Sequence, residues 1–265
     1  MSTPLPIVTI DAFTDTPFCG NPAAICLLPG PLAEEGMQLI AAEMNLSETA
    51  FLEQKGPNVF GLRWFTPEKE VDLCGHATLA SAYMLYMEEV VEEDQEIIFQ
   101  TKSGDLKVKM EGEEIAMDFP LLETKTGVHP FFKNDFFGQR IIGSASLKGN
   151  WILELESFHS LEYVEPEFGV LAMHSEQGII ITAKGDEHYD IYSRYFAPNL
   201  GINEDPVTGF AHCALVDYWH KKEGNTSFHA YQASKREGEM KLELKGDRVK
   251  ILGRAVKIFE GFLEV

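Results

Sequence analysis

The sequence predicts an α+β protein of two similar domains, each with strands wrapped around one hydrophobic helix. Three observations carry this. Strand-like runs dominate the chain, two helix candidates are apolar nearly all round, and the second half repeats the order of the first. A helix without a polar face is one buried on all sides.

The elements follow in order. Ile7 to Phe13 reads as a strand, the segment DTPFCGNPAA as a Pro/Gly loop, and Ala24 to Leu28 as a second short strand. In LAEEGMQLIAAEMN, Leu32, Met37, Leu39, Ile40 and Met44 fall near helical spacing. Asn45 is a natural stop there, because Asn tolerates the left-handed conformation. SETAFLEQ is a strand candidate, and strands continue to GLRWFTP. CGHATLASAYMLYMEE is the first apolar helix, starting at a Cys-Gly turn. The runs IIFQTKS, DLKVKM and IAMDF follow as strands. Leu121 to Gly138 is irregular and reads as a linker. Beyond it, GIIITAKG and YDIYSRYFAP are strand-like, PVTGFAHCALVDYWHKK is the second apolar helix, and MKLELKGDRVKILG is a hairpin turning at Gly246-Asp247.

The repeat can be placed residue by residue. Arg63-Trp64-Phe65-Thr66-Pro67 overlies Arg194-Tyr195-Phe196-Ala197-Pro198 at an offset of 131, from 63 to 194. Carried onward, that offset sets Val71 on Ile202 and Cys74 on Asp205. Gly104-Asp105-Leu106-Lys107-Val108 overlies Gly238-Glu239-Met240-Lys241-Leu242 at 134, from 104 to 238, and Gly112 then meets Gly246. Two blocks in one order at nearly one offset point to two copies of a module. The expected domains are residues 1–117 and 118–265, with the final strand, Val256 to Val265, free to cross to the first. Each apolar helix is expected to begin just after Cys74 or Asp205, with Asp205 as N-cap and Pro206 as first helical residue. A helix start presents unpaired N–H groups and attracts anions, so two such starts facing each other would hold a small carboxylate.

Composition excludes some partners. Of 265 residues, 42 are acidic and 22 basic, giving a formal charge of −20, and 45% are hydrophobic. Such a surface repels phosphate backbones and anionic lipid, so neither nucleic acid nor membrane is expected as a partner. The start MSTPLPIVTIDAF has no basic region and no long apolar run, and no segment approaches about 18 apolar residues; a soluble cytoplasmic protein is expected. Cys19, Cys26, Cys74 and Cys213 are then expected as reduced thiols. Cys74-Gly-His76 and His212-Cys213 contain ligand types without structural-zinc spacing, so no metal is expected.

Five stretches together resemble one family: DAFTDTPFCGNPAAICLL (11–28), NLSETAFLE (45–53), RWFTPEKEVDLCGHATLASA (63–82), SRYFAPNLGINEDPVTGFAHCAL (193–215) and QASKREGEM (232–240). They look like the PhzF-like, or phenazine-biosynthesis-protein, family. GNPAA alone would be weak; NLSETAF with LCGHATLA and EDPVTG is specific. The resemblance implies a diaminopimelate-epimerase-like fold, each domain a β-barrel-like sheet around a central helix. It implies an isomerase without metal or organic cofactor, and a homodimer. It carries a catalytic acid/base onto Glu48, and supporting roles onto His76 and Asp205. Two positions depart from the family's pattern. Arg236-Glu237-Gly238 stands where Arg-Gly-Gly is common, and Phe210 stands where Ser is usual, which would narrow or reshape a pocket.

The residues themselves bear on these roles. Glu48, Ala50 and Leu52 share one face of a strand, so the carboxylate sits on a largely apolar surface. Burial there raises a carboxyl group's pKa towards neutrality, as an acid/base catalyst needs. Read locally, Glu48 is a strand-edge acid and Asp205 a helix cap. His76, in a first helical turn, could donate to a substrate or relay a proton. Asn21, Gly75, Thr208 and Gly209 are candidates to hold a carboxylate, the last two through backbone N–H groups. Cys74 reads as a small buried residue, since a two-thiol epimerase would need a second cysteine where Asp205 stands. The expectation is a proton-transfer isomerase acting on a small carboxylic or amino acid. A racemase or epimerase and a non-catalytic binding or adaptor protein are the alternatives.

Overall fold

The structure is a computed structural model and describes residues 4–264. In chain order the elements are β1 (Leu5–Ala12), β2 (Asn21–Leu27), α1 (Glu34–Met44), β3 (Glu48–Gln54), β4 (Val59–Phe65), β5 (Glu70–Val71), α2 (Gly75–Met87), β6 (Ile97–Thr101), β7 (Gly104–Glu111) and β8 (Glu114–Pro120). There follow β9 (Lys125–Thr126), β10 (Asp135–Phe136), β11 (Gln139–Leu147), β12 (Asn150–Leu155), α3 (Phe158–Glu162), α4 (Phe168–His174), β13 (Ile179–Lys184) and β14 (Ile191–Ala197). A 3₁₀ turn at Pro198–Leu200 leads to β15 (Ile202–Asp205), α5 (Gly209–Glu223), β16 (Ser227–Gln232), β17 (Gly238–Lys245), β18 (Arg248–Gly253) and β19 (Ala255–Leu263). Two compact units result. One runs to Asp118 and resumes at Ile251; the other is Phe119–Lys250. Val265, the end of the expected last strand, lies outside the described residues.

The first unit is a mixed sheet. β1 pairs antiparallel with β2, β2 parallel with β3, β3 antiparallel with β4, β4 parallel with β6, and β6 antiparallel with β7, while β5 folds back on β4. β19 adds to the free side of β1, from Leu5↔Leu263 to Ala12↔Ala255, so the chain's end belongs here and not to the second module. The second unit repeats the pattern with β11, β12, β13, β14, β16 and β17, and β15 folds back on β14. β11 and β12, and the helices α3 and α4, fall where no element was read from sequence.

The repeated Arg-x-Phe block has a physical role in both copies. Arg63 grips Glu70 with Nε and Nη2, both at 2.7 Å, and its guanidinium lies 5.1 Å from the Phe65 ring centre. Arg194 grips Glu204 with Nε and Nη2 at 2.7 and 3.0 Å, and lies 5.0 Å from Phe196. A two-pronged Arg–carboxylate bond fixes geometry as well as energy, so each clamp ties its short return strand to the sheet just before the central helix.

The central helices are buried for different lengths of the same reason. In α2 every residue from His76 to Ala82 is buried, and the hydroxyls of Thr78 and Ser81 bond back to the carbonyls of Cys74 and Ala77 at 2.5 and 2.6 Å. Those bonds let polar side chains sit inside an apolar sheet without stranding a donor. α5 buries Ala211 to Asp217 and ends at Gly224, whose φ of 79° is left-handed; its N–H bonds the His220 carbonyl at 2.8 Å. α1 is one-sided. It buries Met37, Ile40 and Ala41 against Leu5, Ile7, Cys26 and Phe51 and stops at Asn45 with φ 50°. Burying Met37 and Ile40 contributes about 1.5–3 kcal/mol each.

Candidate active site

Gly20 sets the start of β2. Its φ is +65°, and a Cβ there would lie 2.2 Å from the Ala12 carbonyl oxygen, so only glycine lets the loop close on β1. Asn21 follows, wholly buried. β2 and β3 run parallel with Ala23 opposite Glu48. Asn21, Ala23 and Glu48 therefore share one face, which Ala50 and Leu52 extend as fully buried apolar surface. The start of α2 lies on that face and brings His76 to it.

There the three side chains meet. Asn21 Nδ2 is 3.2 Å from His76 Nδ1, and Cys74 Sγ is 3.5 Å from the same nitrogen. An amide nitrogen only donates, so Nδ1 accepts and the ring proton sits on Nε2. His76 Nε2 is 3.2 Å from Glu48 Oε2, but its N–H is not aimed along that line and makes no hydrogen bond to a described residue. Burial alone pushes the imidazole's pKa down to about 3, so the ring is neutral and the contact with Glu48 is not an ion pair. A neutral ring with an N–H beside a carboxylate offers a base and a hydrogen-bond donor side by side. Glu48, Cys74 and His76 also form a group whose ligand atoms all lie within 4.8 Å of one another. Chain spacing hid this, because Glu48 is far from Cys74-Gly-His76 in sequence.

The second unit departs from expectation at its helix start. α5 begins at Gly209 with Thr208 as N-cap, so Asp205 is not the cap and Pro206 is not the first helical residue. Asp205 ends β15 opposite Tyr195, and its Oδ2 accepts the Thr208 hydroxyl at 2.5 Å. The Thr208 N–H, expected to face a ligand, donates instead to Gln232 Oε1 at 2.9 Å. Gln232 Nε2 donates to the Asp205 carbonyl at 2.7 Å. The buried Gln232 amide thus closes the turn that a capping carboxylate would have closed. Gly209, the first residue of α5, is buried, and Gly75 holds the same place in α2. Gln232 lies in a stretch that marked the family but had no assigned role, and no local pattern singles out a glutamine that bonds 24 residues back.

The register also corrects the repeat. Trp64 faces Val71 and Tyr195 faces Asp205, so the Arg-x-Phe blocks set Val71, not Cys74, against Asp205. The N-caps then match Cys74 with Thr208, and His76 falls on Phe210. Phe65 faces Thr49 and Phe196 faces Ile179, so Glu48 falls on Gly178. A Cβ at Gly178 would lie 2.5 Å from the Tyr195 ring, which fills that space. The second copy therefore has neither a carboxylate nor an imidazole where the first has Glu48 and His76. Glu237, in the departed motif, holds a left-handed φ of 60°, where the family's glycine costs less, and its carboxylate bonds Tyr231.

The family model for phenazine biosynthesis-like protein matches residues 10–261. An uncharacterized isomerase of Halalkalibacterium halodurans is 46% identical over 262 residues, covering 97% of this chain and 98% of that protein. The crystal structure of a PhzF-family phenazine biosynthesis protein from Enterococcus faecalis superposes with a TM-score of 0.93 at 39% identity, covering 99% of this chain and 100% of that one. A hydroxyproline epimerase from Agrobacterium vitis, solved with bound trans-4-hydroxy-L-proline, shares the diaminopimelate-epimerase-like fold at 10% identity, with a TM-score of 0.66 over 100% of this chain and 95% of that one. With a matching model over nearly its whole length and relatives that align end to end, this chain belongs to the PhzF, or phenazine biosynthesis-like, family.

Proposed function

We propose that this chain is an isomerase that moves a proton between carbons of a small carboxylic or amino acid, with Glu48 as general acid/base and no metal or organic cofactor taking part. The observation that carries the reading is the pairing of Glu48, on an apolar sheet face, with a buried neutral His76 at 3.2 Å. Glu48 takes a proton from an acidified carbon and returns it to another carbon of the same substrate. His76 Nε2–H donates to the negative charge that develops meanwhile, a preorganised donor of the kind that stabilises transition states. A neutral imidazole suits this role, since it donates without giving up its proton. Asn21 fixes the ring through Nδ1. Asp205 is proposed to hold charge on the substrate, and the helix starts at Gly75 and Gly209 to bind its carboxylate. The isomerase names of the relatives support the class.

Glu48→Gln is the test. It keeps shape but removes the group that carries the proton, so turnover should fall by about 10² or more, the lower range for a positioned acid or base. Screening small unsaturated and amino acids in deuterated water supplies the assay. Deuterium entering with a shifted double bond marks isomerisation, entry at a stereocentre marks racemisation, and no exchange with any binder found would favour a binding protein. Full activity in Glu48→Gln would assign the chemistry elsewhere.

A further inference from the structure

Three ligand types meet in the first unit: a carboxylate, a thiol and an imidazole. They come from two elements, the start of β3 and the first turn of α2, whose positions the sheet fixes. Cys74 Sγ is 3.5 Å from His76 Nδ1, Glu48 Oε2 is 3.2 Å from His76 Nε2, and one ligand atom from each of the three residues lies within 4.8 Å of the other two. A tetrahedral ion with bonds of about 2.0–2.3 Å holds its ligands at about 3.3–3.7 Å from one another, so the group, now within 4.8 Å, draws in by about 1 Å at its widest to close around a cation. His76 Nε2 is buried, faces Glu48 and makes no hydrogen bond to a described residue. A tetrahedral ion held by three protein atoms keeps one position for water or substrate.

We infer that Glu48, Cys74 and His76 form an inhibitory binding site for Zn²⁺ or a similar borderline-soft divalent cation. The thiolate and imidazole select such ions over Mg²⁺, which prefers an all-oxygen octahedron. On binding, Cys74 loses its thiol proton to solvent, and His76 takes the metal on Nε2 while its ring proton moves to Nδ1, where the Asn21 amide turns over to accept it through Oδ1. The ion then occupies the Glu48 carboxylate. That the ion inhibits rests on the proton-transfer role of Glu48 given above; that it binds does not.

The binding arm therefore uses no substrate. The full-length protein is titrated with Co²⁺ and with Zn²⁺ in competition with a chromogenic chelator, and with Mg²⁺ as control. One Co²⁺ per chain should give a thiolate-to-cobalt absorption band that Zn²⁺ abolishes and Mg²⁺ does not. Cys74→Ser should remove the band, and Cys74→Ser and His76→Asn should each weaken Zn²⁺ by at least about tenfold, a loss that even outer partners of a metal produce. No band in the wild type, or Zn²⁺ affinity unchanged in both variants, overturns the site; the wild-type band decides even if a variant misfolds. In the activity arm, Zn²⁺ should abolish turnover and a chelator restore it. Binding without inhibition overturns the inhibitory role, whereas full turnover in metal-free Glu48→Gln sinks the acid/base reading and leaves the binding result standing.

Discussion

At the scale of single residues, burial decides protonation. His76 and His212 are both enclosed, and burial pushes their pKa values down to about 3 and about 4. Burial holds His212 neutral against the opposing pull of the Thr208 carbonyl, which accepts from Nδ1 at 2.7 Å, and Nε2 lies 3.4 Å from the Ser193 hydroxyl. An ordinary imidazole titrates near about 6.5, so below that pH the unfolded chain takes up protons that the native state refuses. The native state thus has its full stability above about pH 6.5 and loses it as pH falls, by up to about 1.4 kcal/mol per pH unit for each histidine. Urea midpoints should hold from about pH 7.5 to about pH 6.5 and fall from there to about pH 5, before the carboxylates begin to titrate. His212→Gln should flatten part of that slope. A midpoint constant across the window would mean that neither ring stays neutral.

At the scale of elements, the start of α5 is held by one side chain. Gln232 satisfies the Thr208 N–H and the Asp205 carbonyl together, and adds a bond to the Thr208 hydroxyl at 3.2 Å. Gln232→Leu keeps the volume but strands two buried polar groups, each costing about 1–3 kcal/mol. The variant should lose about 2–6 kcal/mol of stability, read as a lower urea midpoint, and Gln232→Glu should not restore it, because its second oxygen would face the Asp205 carbonyl, acceptor against acceptor. A Gln232→Leu protein of undiminished stability would show that the turn is closed by something else. The same elements show what could be read from the chain. Asn45, the apolar helices and the GD hairpin were legible because each is written in local chemistry: a left-handed stop, burial on all faces, a turn pair. The sequence named Asn21, Glu48 and His76, and they lie together in one unit. The matching of Cys74 with Asp205 failed for a physical reason. The second copy inserts a 3₁₀ turn at Pro198–Leu200 before its return strand, and the offset moves from 131 to 134 inside a stretch with no residue to mark the slip. α3 and α4 were not legible because both are short, with one buried residue each, Leu161 and Leu171.

At the scale of the whole molecule, chain order and unit membership part company. Phe119–Lys250 is continuous, with its own buried cluster of Phe136, Leu153, Ile179, Ile181 and Phe196. The first unit is not continuous, because β19 closes the outer side of β1 along eight paired positions. Removing residues 255–264 would leave the donors and acceptors of β1 without their ladder and uncover Leu5 and Ile7, both now buried. An open edge of that kind is exposed to exchange and to pairing with other chains. Local opening follows the contacts each segment keeps, so the loss should be confined to one unit. In amide hydrogen exchange, the truncated protein should lose protection in β1 and β2 first and keep it in β12, β13 and β14. It should also associate at concentrations where the full chain does not, since the uncovered β1 can pair with another copy. Equal loss of protection in both units would mean that they unfold as one cooperative body. Unchanged protection in β1 would mean that β19 contributes little to the first unit despite its full register.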